Sequence, residues 1–334
     1  MKFHPTKKNI LRVAEYLLTI WVIVTVNFLL PRVMPGDPFL YISAEEGQDT
    51  AMFSEKQREY YRDFYGLDRP VVDQYLSYIG EVCTGNLGHS IYYGSSVRKL
   101  ILRRLPWTLF LVLSAIALSS AGGLALGGFS ATHRASWVDK FLFLLHVVLS
   151  SVPAFLIGLI LLFVFAAGLR WFPLSGAITP FPAQQSFWQR LIDILQHGVL
   201  PIAALALART AHMYLLSRGT VIGVLEKAYI RTARAKGLSK LRILLNHILR
   251  NAFPPVCTRI FMSLGTLVGG AILVENIFAY PGLGRLMRDA VLVHDYPLIQ
   301  GIFLVVTILV LGANWAADWI QPKLDPRLAE STGN

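Results

Sequence analysis

Glu226-Lys-Ala-Tyr229-Ile-Arg231-Thr-Ala233-Arg-Ala-Lys-Gly237-Leu-Ser239 holds four basic residues and one acid, and it lies between two long apolar stretches, residues 199–216 and 256–279. A helix needs about 20 mostly apolar residues to cross a bilayer, because hydrocarbon offers the backbone no hydrogen-bond partner. A basic insert between two such stretches is therefore a loop between two spans. Working outward, residues 13–30, 107–129, 141–169 and 298–320 have the same character. The expected fold is an all-α membrane protein with six transmembrane helices.

Composition agrees. Of 334 residues, 54% are hydrophobic and 15% charged, against about 25% charged in soluble domains. Mean hydropathy is +0.51. These values exclude an ordinary soluble enzyme. The net charge of +11, from 31 Lys+Arg against 20 Asp+Glu, fits basic cytoplasmic loops and anionic lipid better than nucleic acid. Cys83 and Cys257 are the two cysteines. They are expected on opposite faces of the membrane, so neither a disulfide framework nor a metal-thiolate site is available.

Residues 13–30 follow a basic start and end at Pro31-Arg32 without a small-residue cleavage site, so they are read as a retained helix, not a signal peptide. Pro153 should kink the third span, with Ser150 and Ser151 compensating the freed carbonyls. The positive-inside rule puts the N-terminal tail, 130–140, 217–255 and the C-terminal tail in the cytoplasm. Residues 31–106, rich in acids, would be extracytoplasmic. The expected division is thus 1–30, 31–106, a core at 107–321 with its loop at 217–255, and a tail at 322–334. Val71, Val72, Tyr75, Leu76, Ile79 and Val82 recur at helical spacing, which predicts a short amphipathic helix packed on the membrane domain. Residues 330–334 are expected to fray.

Within the basic loop, the spacing predicts a short helix ending near Gly237. Ala233 and Gly237 share a face, and their small size would let another protein approach the backbone closely. Leu241, Leu244, Leu245, Ile248 and Leu249 predict a second helix stopping at Pro254-Pro255. Two readings stay open from the residues alone: a knob gripped by a cytoplasmic partner, or a basic loop lying on anionic lipid.

Tyr229-Ile-Arg-Thr-Ala-Arg-Ala-Lys-Gly-Leu238 followed by His247-Ile-Leu-Arg-Asn-Ala252 resembles the cytoplasmic loop of ABC importer permeases, within the dipeptide/oligopeptide/nickel permease family. The resemblance continues in Leu30-Pro-Arg-Val-Met-Pro-Gly-Asp-Pro38, Tyr65-Gly-Leu-Asp-Arg-Pro70, Gly85-Asn-Leu-Gly-His-Ser90, Arg104-Leu-Pro-Trp-Thr108, Glu275-Asn-Ile-Phe-Ala-Tyr-Pro-Gly-Leu-Gly284 and Asp295-Tyr-Pro297. It covers nearly the whole chain, in order. It implies a type I importer permease of the bacterial cytoplasmic (inner) membrane. Its partners would be a second homologous permease, two cytoplasmic ATP-binding subunits and an extracytoplasmic solute-binding protein. The chain would bind no cofactor of its own, since ATP and Mg would act on the ATPase subunits. Glu226, Tyr229, Arg231, Ala233, Arg234, Ala235, Lys236, Gly237 and Leu238 would form the ATPase-coupling segment. One departure stands out: Arg231 occupies a position, six before the Gly, where importers generally often carry Glu. Peptides are the first expected cargo, with nickel or another metal chelate as the alternative.

Three residues are candidates for the substrate pathway. Arg209 interrupts the fourth span, and an intramembrane charge usually faces a cavity or a partner. A substrate carboxylate would suit it; the alternatives are that it snorkels or pairs with an acid of another subunit. Glu275 and Asn276 sit near the outer end of the fifth span, before the turn Tyr280-Pro-Gly-Leu-Gly284. They read either as a gate or docking lip, or as a helix-terminal anchor. Arg218 reads as a cytoplasmic-end anchor, and Gly122, Gly123, Gly127 and Gly128 as sites of close helix approach. The histidines show no metal-ligand spacing. No G-x-x-x-x-G-K-[ST], H-E-x-x-H or G-x-S-x-G occurs in the sequence, so neither P-loop hydrolysis nor the common hydrolase chemistries are expected. An ion-coupled secondary transporter would normally carry more buried ionisable groups than Arg209 alone.

Overall fold

The computed structural model describes residues 7–33, 69–180 and 186–324. In chain order the helices are α1 (Lys7–Val33), α2 (Val71–Thr84), α3 (Val97–Thr132), α4 (Trp137–Ser150) and α5 (Ala154–Leu161), which continues as a π-helical turn, Leu162–Gly168. There follow α6 (Phe187–Leu225), α7 (Ala228–Ala235) and the short α8 (Lys240–Ile243), extended by a second π-helical stretch, Leu244–Leu249. The last three are α9 (Arg250–Ile277), α10 (Leu283–Leu292) and α11 (Tyr296–Leu324). Among the described residues no strand forms beyond a single bridge between His89 and Ser96. The segment expected to fray, 330–334, lies outside the described residues.

All six apolar segments fall on helix. Val97–Thr132, Phe187–Leu225 and Tyr296–Asp318 are each long and apolar enough to cross a membrane. α4 and α5 pass that test as a pair, and α1 contributes a shorter apolar run, Ala14–Leu29. The fifth apolar segment lies within α9 up to Ile277. The expected kink at Pro153 is a full break, since α4 and α5 diverge by 103°. Pro153 adopts ψ 143° as the residue preceding α5, an extended conformation that no helix interior accommodates. Pro254 and Pro255, by contrast, do not end a helix as expected: both lie inside α9.

The chain divides into two compact units. One comprises 1–104 and 286–308, the other 105–285 and 309–334. In the first, α2 lies against α1. Phe28, fully buried, meets the Tyr75 ring edge-on at 5.1 Å. Asn27 Nδ2 donates to the Tyr78 hydroxyl at 3.0 Å, and Arg32 donates to Gln74 Oε1 from both Nε and Nη2. The amphipathic helix is therefore present, but a different face is packed. Val71, Val72 and Leu76 remain 55%, 67% and 61% exposed, because the longer Gln74, Tyr75 and Tyr78 side chains reach α1 first. Asp295 fastens the loop after α2. Its carboxylate accepts from the Ser90 hydroxyl, from the Ile91 and Tyr92 amides, and from the Leu298 amide in the first turn of α11.

The second unit holds the main core, where Leu111 and Ala115 of α3, Ile157 of α5, Ala204 and Leu205 of α6 and Val274 of α9 close on one another. Two of the four expected glycines set the spacing of α3 and α6. A Cβ on Gly127 would stand 2.7 Å from the Tyr214 carbonyl oxygen and 2.9 Å from the Arg218 nitrogen, and one on Gly123 would stand 2.9 Å from the Met213 carbonyl carbon. Gly122 would make only an ordinary contact with Thr210, and Gly128 would meet nothing within 4 Å. Backbone atoms cannot yield as side chains do. Gly127→Ala is therefore expected to destabilise the chain by about 1–3 kcal/mol through overpacking, while Gly128→Ala leaves it unchanged or firmer. A thermal melt of the two variants in detergent checks the contrast.

Candidate functional site

The basic loop is a small structure anchored by its own core. Lys227 leaves the end of α6 in an extended conformation, φ −71° and ψ 144°, and α7 begins at Ala228. Ile230 and Ala233, three apart on one side of α7, are 0% and 5% exposed. They enter a cluster with Ala131 of α3, Val221 and Val224 of α6, Ile243, Ile248 and Ala252. At the other end, Gly237 takes φ +73°. Its amide donates to the Arg234 carbonyl at 3.0 Å, and the Leu238 amide donates to the Ala233 carbonyl at 3.3 Å. This left-handed turn closes the helix, a geometry that glycine adopts without the Cβ penalty. Leu238 then folds back onto the same cluster.

What remains outward is a basic face. Glu226, Tyr229, Arg231, Arg234, Ala235, Lys236 and Gly237 are exposed. The expected smooth face shared by Ala233 and Gly237 is corrected in one respect: Ala233 points into the chain's own core. Its small side chain serves the close approach of α7 to that cluster, and the outward surface is carried by its neighbours. Glu226 does not face outward alone, since Arg134 Nη1 donates to its Oε1 at 2.9 Å between two well-exposed side chains.

Beneath this module lies an ion-paired joint. Arg218 of α6 donates to both oxygens of Asp139 in α4, from Nε at 2.8 Å and Nη2 at 2.9 Å. Asp139 also accepts from the Ser130 hydroxyl and from the Ala135 amide at 3.0 Å. Ser130 shares a hydrogen bond of 2.6 Å with the buried Tyr214 hydroxyl, and His146 stacks on the Tyr214 ring at 4.0 Å. Three helices thus converge on one carboxylate. The sequence marked Arg218 as an anchor but gave no partner for it, and Asp139 passed unnoticed. Its one local signal is Ser136, three residues earlier, whose side chain caps α4.

Glu275 is 0% exposed. Thr108 Oγ1 donates to its Oε1 at 2.7 Å, and the Gly284 and Arg285 amides donate to its Oε2 at 2.6 and 3.3 Å. Thr108 Oγ1 in turn accepts from the Leu283 amide at 2.8 Å. The carboxylate caps the first turn of α10, whose amides have no intrahelical partner. This geometry fits the anchor reading. Asn276 turns its amide onto its own helix, donating to the Ile272 carbonyl at 2.8 Å.

Arg209 stands apart from both. It lines a cavity of about 290 Å³ at the break between α4 and α5, with Ser150, Ser151, Pro153, His212 and Gly270. Among the described residues no carboxylate pairs with it. The charge it senses is a second cation, Arg259 of α9.

Residues 123–330 match the family model described as the binding-protein-dependent transport system inner membrane component. The chain belongs to this family. The matched region holds the α7 module, the Asp139–Arg218 joint, Glu275 and Arg209. Relatives are similar over nearly their full length. The di/tripeptide transport system permease protein DppB of Pseudomonas aeruginosa is 35% identical over 327 residues, covering 93% of this chain and 95% of that one. The oligopeptide transport system permease protein AppB of Bacillus subtilis is 34% identical over 307 residues, covering 92% and 94%. Among solved structures, an inward-facing form of the MetNI methionine ABC transporter aligns with a TM-score of 0.56 at 15% identity, over 68% of this chain and 97% of that one. At that identity the likeness concerns the fold, which is that of a type I ABC importer permease. The chain is a multi-pass inner membrane component of a transport system.

Proposed function

We propose that this chain is the pore-forming subunit of an ATP-driven importer of di- and oligopeptides, with both termini in the cytoplasm. It pairs with a second homologous permease. Two cytoplasmic ATPases grip the α7 modules, and an extracytoplasmic binding protein delivers the cargo. ATP and Mg act on the ATPases, and this chain supplies no catalytic group. The observation that carries the reading is the architecture of α7, which is fixed by Ile230, Ala233 and Leu238 on its inner side and basic and exposed on its outer side. A loop merely resting on lipid needs the charge but not the private core. Peptide cargo is favoured over a metal chelate by the names of the relatives above, two of which are peptide permeases across more than nine-tenths of their length.

Mechanically, ATPase closure moves α7. Because α7 shares a core with Ala131 of α3 and Val221 and Val224 of α6, these helices follow it. Nucleotide state then biases two arrangements of the spans, which alternately admit and release cargo.

Gly237→Trp is the test. A Cβ at 237 meets nothing within 4 Å and the position is exposed, so the indole has room on the outward surface, and the left-handed conformation costs about 1–2 kcal/mol. The variant should insert into membranes normally. ATPase subunits should no longer co-purify with it, and dipeptide uptake by cells should fall at least tenfold. Undiminished ATPase capture together with undiminished uptake would overturn the reading.

A further inference from the structure

A half-buried cation with no counterion among the described residues is an unfinished site. α6 carries Arg209 nine residues ahead of Arg218, about 14 Å of helix rise from the ion-paired joint that marks the cytoplasmic end. The side chain is only half-buried, so its guanidinium can be reached. Holding a guanidinium at this depth in hydrocarbon is costly unless a partner or water meets it. Among the described residues no carboxylate does so. Arg259, the charged group it feels, adds a second positive field to the same region.

The walls of the cavity suit one end of a small zwitterion. α4 stops and α5 starts there, and such broken helices present free backbone groups to whatever occupies the gap. The Ser150 and Ser151 hydroxyls already donate to the Val147 carbonyl, Ser150 at 2.7 Å, so the side-chain donor left for an anion at this wall is Arg209. The first amides of α5 also lack intrahelical partners and favour negative charge beside them. At about 290 Å³ the cavity is at the lower edge of the range for small-ligand pockets. It holds a terminus, not a long chain. Of the two peptide termini, only the carboxylate is attracted by Arg209 and Arg259, and a guanidinium grips it with two parallel hydrogen bonds.

We propose that Arg209 is a carboxylate-binding residue of the permeation path, taking the C-terminal carboxylate of the peptide cargo at the break between α4 and α5. The proposal rests on the peptide-import reading above, and it adds the chemical group by which the membrane subunit itself recognises cargo.

The test compares wild type, Arg209→Lys and Arg209→Gln in the assembled transport complex in cells. Uptake of alanyl-alanine and of its C-terminal amide is measured, together with co-purification of the other subunits. The Gln variant should lose at least tenfold in free-acid uptake and keep its amide uptake, while the Lys variant stays within about threefold of wild type for the acid. Because the binding protein is unchanged throughout, its own preference cancels in these ratios. Equal losses by Lys and Gln, or parallel losses of acid and amide, would overturn the proposal. A drop in subunit recovery with Gln would also overturn it, assigning Arg209 to an acid of the neighbouring permease. If wild type imports neither compound, the peptide reading itself fails, and the proposal falls with it.

Discussion

Arg218→Met is expected to lower the stability of the folded chain by about 3–5 kcal/mol, the usual result of removing one member of a buried ion pair. The asymmetry of the pair sets the size of the effect. Asp139 has a side chain 3% exposed, against 20% for Arg218. Removing the arginine strands a charge that cannot reach water. Removing the acid leaves a guanidinium that can still turn toward solvent, and in Asp139→Asn the amide oxygen still accepts from the Ser130 hydroxyl or the Ala135 amide. Asp139→Asn should therefore cost less than Arg218→Met. The double variant should recover part of the loss, since two residues in direct contact are not additive. Thermal melts of the detergent-solubilised protein measure all three. A strictly additive double variant would show that the ion pair does not hold α4 to α6. Transport should fall further than stability alone requires. The joint lies on the same helix as Val221 and Val224, which contact α7, so loosening it lets the module move without carrying the spans.

The spans are legible because hydrocarbon is an unforgiving solvent: each of the six apolar segments falls on helix, the third in two pieces broken at residues 151–153. α7 was legible for a local reason, the glycine at 237 ending a short amphipathic pattern. Features that depended on distant residues were not legible. Asp139 is one acid in a turn otherwise read for its positive charge, and its partner lies 79 positions away. Ala233 was placed on a partner-facing surface because its spacing to Gly237 is right, yet spacing alone does not say which side of a helix is covered. That depends on Ala131, Val221 and Ile248, which come from other elements. Pro254-Pro255 reads as a stop because a proline removes one ladder donor and crowds the carbonyl four residues before it, yet α9 runs on through both. Glu275 was noticed, and both a gate and an anchor were consistent with it. Its burial depends on Thr108 and on the start of α10, and no pattern in a sequence reports burial of a lone acid beside a Pro-Gly turn.

Glu275→Ala is expected to be as damaging as the loss of Arg218, and for the opposite electrostatic reason: it removes the acceptor and strands donors. The Gly284 amide, the Arg285 amide and the Thr108 hydroxyl would lose their common partner at a position where Glu275 is 0% and Thr108 3% exposed. Each buried donor left unmet costs roughly 1–3 kcal/mol, and the hydroxyl alone can rotate to seek another acceptor. A loss of about 3 kcal/mol follows from the two amides that cannot. Glu275→Gln keeps the shape but turns one donor-rich NH2 group toward donors, so it should recover only part of the stability. The approach from the other side is equally tight, because a Cβ on Gly282 would run into the Glu275 carboxyl. Gly282→Ala should consequently resemble Glu275→Gln, since it displaces the same carboxyl. The measurement is again the thermal melt, paired with dipeptide uptake at a temperature where the variant remains folded. A gate would give the reverse pattern, with intact melting and altered uptake. If Glu275→Ala melts like wild type while uptake changes, the capping role is wrong and Glu275 belongs to the permeation path after all.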